Sequence, residues 1–388
     1  MSGSTLISGA MVLAEGKLLG RGDILVERGR IRKIAKKIPA RGARVIDAEG
    51  LLASPGLIDT QINGGFGRSF SETTPEQVLE VGKKLLEHGV TSYLPTLISL
   101  PKAVTRKGIA SLVAASKLKG GARILGIHLE GPFLCPERRG AHRTNHLRRP
   151  SVAEFRQYWK DAKGLLRMMT LAPELPGALD VIKEGSRRGV IMSAGHSNAE
   201  ASDVSRAVLE GGLRHVTHVF NAMSGLHHRH ETILNAALLI DRLSCGFIYD
   251  RQHLSAGAAI LLLKLKRPGS LVLVSDAVFA LGAPDGEIRH DGETYVVSKG
   301  MVTVKSTGRL AGSAFSILDG VRCLIADTEV PPPMAIHLAS GSPAKLLGLE
   351  DRKGMLKPGA DADIVLFDKG LRVRMTMVGG EVLYGNHH

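Results

Sequence analysis

Apolar and polar residues alternate with a period of two in short, glycine-bounded stretches over residues 5–53 (TLISGAMVLA, GDILVERGRIRKIA, ARVIDAEGLLAS). The same rhythm returns over 360–385 (ADADIVLFDKGLRVRMTMVGGEVLYG). Period two with glycine breaks is the pattern of small antiparallel strands. Neither end is long enough to bury a core alone, so the two predict one small β-sandwich domain built from residues 1–54 and 351–388. Between them lie eight apolar runs, at 51–63, 89–99, 123–133, 165–174, 189–197, 215–223, 243–253 and 270–277. Helical segments separate most of them. Thr74-Pro75-Glu76-Gln77 reads as an N-cap with proline in the first turn, and Ser151-Val152-Ala153-Glu154 as a capping box. Eight β/α repeats, with no glycine-rich dinucleotide fingerprint after the first strand, predict an α/β fold with a TIM-type (β/α)8 barrel over 55–350. Residues 285–304 read as a β-hairpin inserted after the eighth strand.

A barrel gathers its chemistry at the C-terminal ends of its strands. Those ends carry Gln61 and Asn63, then Glu130, His196, His218, His253 and Asp276. Two residues apart on one strand, Gln61 and Asn63 point to the same face. One carboxylate and two imidazoles from three different strands make a three-ligand set for a divalent ion with a position left for water. Ligand type favours zinc and allows manganese, iron or cobalt. Packing alone does not select polar, coordinating residues at this one level. His88, His128, His215, His290 and His337 lack such company and read as packing or surface residues.

Composition narrows the partners. Lys and Arg number 51 against 37 Asp and Glu, a net charge of +14, which raises the question of nucleic acid. Aromatic residues are only 4%, and no basic stretch is interleaved with stacking residues, so an anionic small molecule suits the charge better. No apolar run reaches the roughly 18 residues needed to span a bilayer, and no basic residue precedes the first apolar stretch as a secretory signal requires. Cys135, Cys245 and Cys323 are far apart and odd in number, which predicts reduced thiols in a cytoplasmic protein. His387 and His388 read as a tag remnant.

HLEGPF (128–133), SAGHSNA (193–199), THVFNAM (217–223), VSDA (274–277) and LAGS (310–313), in this order and spacing, resemble the N-acetylglucosamine-6-phosphate deacetylases of the amidohydrolase superfamily. The likeness runs over nearly the whole chain. It implies one catalytic divalent ion on Glu130, His196 and His218, because members with Gln and Asn at Gln61 and Asn63 resemble a single-metal branch whose second-metal subsite is vacated. It implies Asp276 as the catalytic acid and base, and His142 as the group polarising the acetyl carbonyl. For the sugar and its phosphate it points to Ala141, Asn221, Ala222, Arg229, Asp250, His253 and Leu310, Ala311 and Gly312. It further implies a homodimer in which Arg229 reaches the neighbouring site. Arg251, where relatives carry glycine, is expected to add a phosphate contact, and Phe279 stands where smaller residues are common. The N-acetylgalactosamine 6-phosphate deacetylases, differing at one sugar hydroxyl, are the alternative, and a non-catalytic barrel that binds sugar phosphate is the other.

Overall fold

The structure, a computed structural model, describes residues 3–14 and 16–385; His387 and His388 lie outside them. The barrel is present. Its eight strands are Leu57–Ile62, Val90–Leu97, Ile127–Glu130, Leu166–Leu171, Ile191–Ala194, His215–Val216, Ser244–Ile248 and Leu271–Val274. Successive strands pair in parallel. The ring closes through a parallel bridge between Ile62 and Ala277, with the Asp276 N–H donating to the Gln61 carbonyl at 2.9 Å. Buried Asp59 reinforces the seam by accepting the N–H groups of Gln61 and Ser275, each at 3.3 Å. Helices follow the strands, from Pro75–Leu85 to Ile317–Asp327. Thr74 and Gln77 complete the reciprocal cap of the first helix. The second expected box is only half made. Ser151 accepts the Glu154 N–H at 3.3 Å, but the Glu154 carboxylate takes Arg148 Nε at 2.8 Å and the Tyr158 hydroxyl at 2.6 Å instead. A guanidinium and a buried hydroxyl outcompete a backbone N–H for that carboxylate.

Strands from both termini join in one eight-stranded sheet, with Leu52–Pro55 lying between Ile364–Phe367 and Thr5–Ala14. It has its own apolar core, including Ile7, Val12, Ile24, Ile364 and Met377. The apolar run 51–63 is therefore two strands. Leu52–Pro55 belongs to the terminal sheet and Leu57–Ile62 to the barrel. Gly56 is the switch between them, because a Cβ there would run into the Thr91 side chain. The insert after the eighth strand is also larger than a hairpin. Gly286–His290, Glu293–Ser298, Met301–Val304 and Leu310–Ser313 form a four-stranded antiparallel sheet. Ser313 bridges Ala277, which fixes this sheet to the mouth of the barrel.

Gly56→Ala should lower unfolding free energy by about 1–3 kcal/mol, the usual cost of overpacking a tight site. Denaturant titration checks this, and an unchanged midpoint would show that Thr91 yields freely.

Candidate active site

Three donor atoms meet at the barrel mouth. Glu130 Oε1 lies 3.0 Å from His196 Nε2 and 2.9 Å from His218 Nε2, and the two imidazole nitrogens are 3.0 Å apart. All three residues are buried. The His196 Nδ1 sits 2.9 Å from the Arg138 carbonyl, which can only accept. In the neutral ring Nδ1 therefore carries the hydrogen, and Nε2 presents a bare lone pair to a carboxylate oxygen and a second imidazole. A divalent cation resolves that crowding of lone pairs, and donors this close on three sides suit bonds of about 2.0–2.2 Å. The residues present fit a metal. Glu130, His142 and His196 also offer donor atoms within 4.8 Å of one another. His142 is the weaker third member, because its Nδ1 already accepts the Ser99 N–H at 3.2 Å. Burial, with His196 beside it, pushes the His142 imidazolium pKa down to about 3. The ring is thus neutral with its hydrogen on Nε2, the form that donates to a carbonyl oxygen and does not ligate a cation.

Two carboxyl groups share this mouth and differ in character. At Glu130 burial opposes the charge, but the hydrogen bonds and charges of His196 and His218 outweigh it and hold the carboxyl well below its usual range. At Asp276 burial and then the nearby Glu130 push the pKa up to about 7, against the pull of His218, His253 and Asn63. The Gln61 Nε2 donates to Glu130 Oε1 at 3.1 Å and to Asp276 Oδ1 at 3.2 Å, and the Asn63 Nδ2 donates to Asp276 Oδ1 at 2.7 Å. His196, His218 and Asp276 all hold left-handed backbone, with φ of 50°, 30° and 47°. Such conformations cost about 1–3 kcal/mol each in non-glycine residues and cluster where geometry serves chemistry.

The cavity over these groups has a volume of about 440 Å³. Ala141, Asn221, Ala222, His253, Leu310, Ala311 and Gly312, expected from the sequence, line it together with His142 and Asp276. Asp250 does not line it. It accepts His253 Nδ1 at 2.7 Å and the N–H groups of Gln252 and His253 at 2.9 and 2.8 Å. Burial works against a charged His253, yet Asp250 overcomes it and raises the imidazole pKa. Arg229 lies outside the cavity of its own chain, on an exposed loop whose rings stack as His227 with His228 and with His230.

The expected phosphate contact of Arg251 is corrected. Its Nε and Nη2 are held by Asp327 at 2.6 and 2.7 Å, away from this cavity. His290 is corrected too: it lines the cavity, stacked on Phe279 at 4.0 Å between ring centroids. Sequence reasoning also passed over Tyr295 and Arg309, which complete this wall from the inserted sheet. Only the position of that insert, after the eighth strand, hinted at them. His128 and His215 are packing residues as read, the first held by Thr170 Oγ1 at 2.8 Å and the second by Ser244 Oγ at 2.7 Å.

A closed (β/α)8 barrel with carboxylate and imidazole donors at its mouth defines a metal-dependent hydrolase class, and comparison agrees. The model of the amidohydrolase family matches residues 52–383, and the chain belongs to that family. Within it, the N-acetylglucosamine-6-phosphate deacetylase of Bos taurus is 40% identical over 96% of this chain and 94% of its own length. The N-acetylgalactosamine-6-phosphate deacetylase of Escherichia coli O157:H7 is 34% identical over 87% of this chain and 89% of its own. The crystal structure of N-acetylglucosamine-6-phosphate deacetylase from Pasteurella multocida superposes with a TM-score of 0.91 at 28% identity, covering 99% of this chain and 100% of that one.

The raised Asp276 value carries a stability signature in metal-free protein. The folded carboxyl titrates near 7 and the unfolded one near 4, so its contribution is full below pH 4 and is lost as pH rises through 7. Asp276→Asn removes the loss. The chelated variant should exceed wild type by on the order of a few kcal/mol at pH 8 and match it at pH 4. Urea titrations at both pH values check this, and an equal difference at the two would refute it.

Proposed function

We propose that this chain hydrolyses the acetamide of N-acetyl-D-glucosamine 6-phosphate to D-glucosamine 6-phosphate and acetate. One divalent ion per subunit, zinc by ligand type with manganese, iron or cobalt as alternatives, would be held by Glu130, His196 and His218. The observation that carries this reading is a compact three-donor triangle in the same cavity as a separate carboxyl, Asp276, that is hydrogen-bonded to none of the three. When bound, such an ion lowers the pKa of water and polarises a carbonyl. Asp276 takes a proton from the attacking water and returns it to nitrogen as the C–N bond breaks. His142 donates its Nε2 hydrogen to the acetyl oxygen, its other nitrogen being fixed by Ser99. One water is consumed, and one acetate and one amine are formed.

His253, whose imidazole pKa Asp250 raises, suits the phosphate, and Asn221 lines the same cavity. The remaining phosphate donor is assigned to Arg229 from the neighbouring subunit of a homodimer, where its planar fork matches phosphate oxygens. Ala141, Ala222 and Leu310, Ala311 and Gly312 complete the sugar wall. All three cysteines are free and buried, which supports a reduced, cytoplasmic setting; among the described residues no helix is long and apolar enough to cross a membrane. The galactosamine epimer is the second reading, supported by the 34% identical relative. A barrel that only binds sugar phosphate has no use for Asp276 poised beside the triangle.

Acetate release from 6-phosphorylated GlcNAc, GalNAc and ManNAc and from unphosphorylated GlcNAc tests this. The first should be fastest, and removing phosphate should lower kcat/KM by at least about 100-fold, the scale of losing a charged contact. Equal rates with and without phosphate would end the assignment of His253 and Arg229. Metal analysis should give one ion per chain, and two tightly held ions would contradict a single site. Asp276→Asn should bind ion and substrate yet lose about 1,000-fold or more in kcat. Asp250→Asn should raise KM about tenfold with a smaller change in kcat, through a less cationic His253.

A further inference from the structure

We propose that Gln61 and Asn63 are positioning residues for Asp276, doing by hydrogen bonding what a second cation would do by charge, and that Asn63 Oδ1 accepts the acetamide N–H of the substrate. The inference rests on the deacetylase reading above. Gln61 on the first barrel strand and Asn63 just past its end, two positions apart, stand on one side, and backbone pairing of Gln61 with Asp276 and of Asn63 with Ala277 brings them against the end of the eighth. Their amide nitrogens converge on one oxygen, Asp276 Oδ1, at 3.2 and 2.7 Å. With Oδ1 so engaged, Oδ2 is left as the oxygen that exchanges the proton. The second hydrogen of Gln61 Nε2 goes to Glu130 Oε1 at 3.1 Å, so a single neutral group keeps two acidic side chains in register.

Neutrality matters. A second divalent ion in this place would bind Asp276 and suppress its basicity, whereas amide hydrogens fix the carboxyl and leave it able to take a proton. The Asn63 amide cannot flip, because its nitrogen must face a carboxylate. Its Oδ1 is then a buried acceptor, without a hydrogen-bond partner, on a residue that lines the cavity and is 8% exposed. Buried acceptors are almost always satisfied. The donor the reaction brings here is the acetamide N–H, and after cleavage the same nitrogen as the amine, which is also where Asp276 must deliver its proton.

The two residues should separate kinetically. Gln61→Met should lower kcat about 30- to 100-fold with KM within about threefold, because it touches only Asp276 and Glu130. Asn63→Leu should lower kcat comparably and also raise KM about tenfold, because it additionally loses the substrate contact. Asn63→Ser, which keeps a short donor and acceptor, should recover part of both. Should Gln61→Met not fold, Gln61→Asn, which withdraws the amide by one carbon, carries the same expectation. All should keep one ion per chain by metal analysis. In crystal structures of the variants the Asp276 carboxyl should turn away from its wild-type position. Asp276 unmoved in both, or kcat within threefold of wild type, would overturn the positioning role. An unchanged KM in Asn63→Leu would overturn the substrate contact. Wild-type protein that releases no acetate would sink the deacetylase reading alone, since the place of Asp276 in the variants is decided without turnover.

Discussion

Two acidic side chains share one barrel mouth, Glu130 buried and Asp276 half-buried, close enough for the Gln61 amide to hydrogen-bond both. Like charges in a water-poor site repel strongly, so each needs its own compensation. Glu130 receives two imidazoles and stays ionised, while Asp276 receives neutral amides and is drawn toward its protonated form. Pushing two carboxyl groups apart in this way is how one site obtains both a permanent anion and a proton carrier at neutral pH. The barrel supplies the geometry: its first, third and eighth strands bring Gln61, Glu130 and Asp276 together from positions 69 and 215 residues apart in the chain.

A second layer fixes the first. Ser99 sets the tautomer of His142, Arg138 that of His196, and Asp250 anchors the Nδ1 of His253. Each of these partners is itself main chain or buried carboxylate, so little freedom remains for these three imidazoles. The left-handed backbone at His196, His218 and Asp276 belongs to the same pattern, with a rigid scaffold imposing conformations that these residues would not choose unaided.

Much of this was legible in the sequence, for identifiable reasons. Barrel strands announce themselves as short apolar runs, and strand ends are where polar side chains have no packing reason to sit, so Glu130, His196, His218 and Asp276 stood out. Gly56 did not, because both strands it separates are apolar and the break between sheets leaves no polar mark. His290 gave no signal, since the Phe279 ring that seats it approaches only through the fold of the inserted sheet. Arg251 was misread because Asp327, which captures it, lies 76 residues further on. The fourth strand of the insert, Leu310–Ser313, is too short and too small in its side chains to register as periodicity. The cap at Ser151 followed its local rule only until Arg148 and Tyr158 claimed Glu154.

The inserted four-stranded sheet is tied to the barrel mouth beside Asp276, whose carbonyl accepts the Ser313 N–H at 3.0 Å. Asp276, Glu130, His196, His218 and the amides of Gln61 and Asn63 all sit on or directly after barrel strands, whereas His290, Tyr295 and Arg309 reach the cavity from a separate sheet joined at Ser313. The far wall of the cavity is therefore built on a different sheet from the strands that present the donor triangle. Substitutions at His290, Tyr295 or Arg309 would recontour that wall while leaving the pairing of the barrel strands in place.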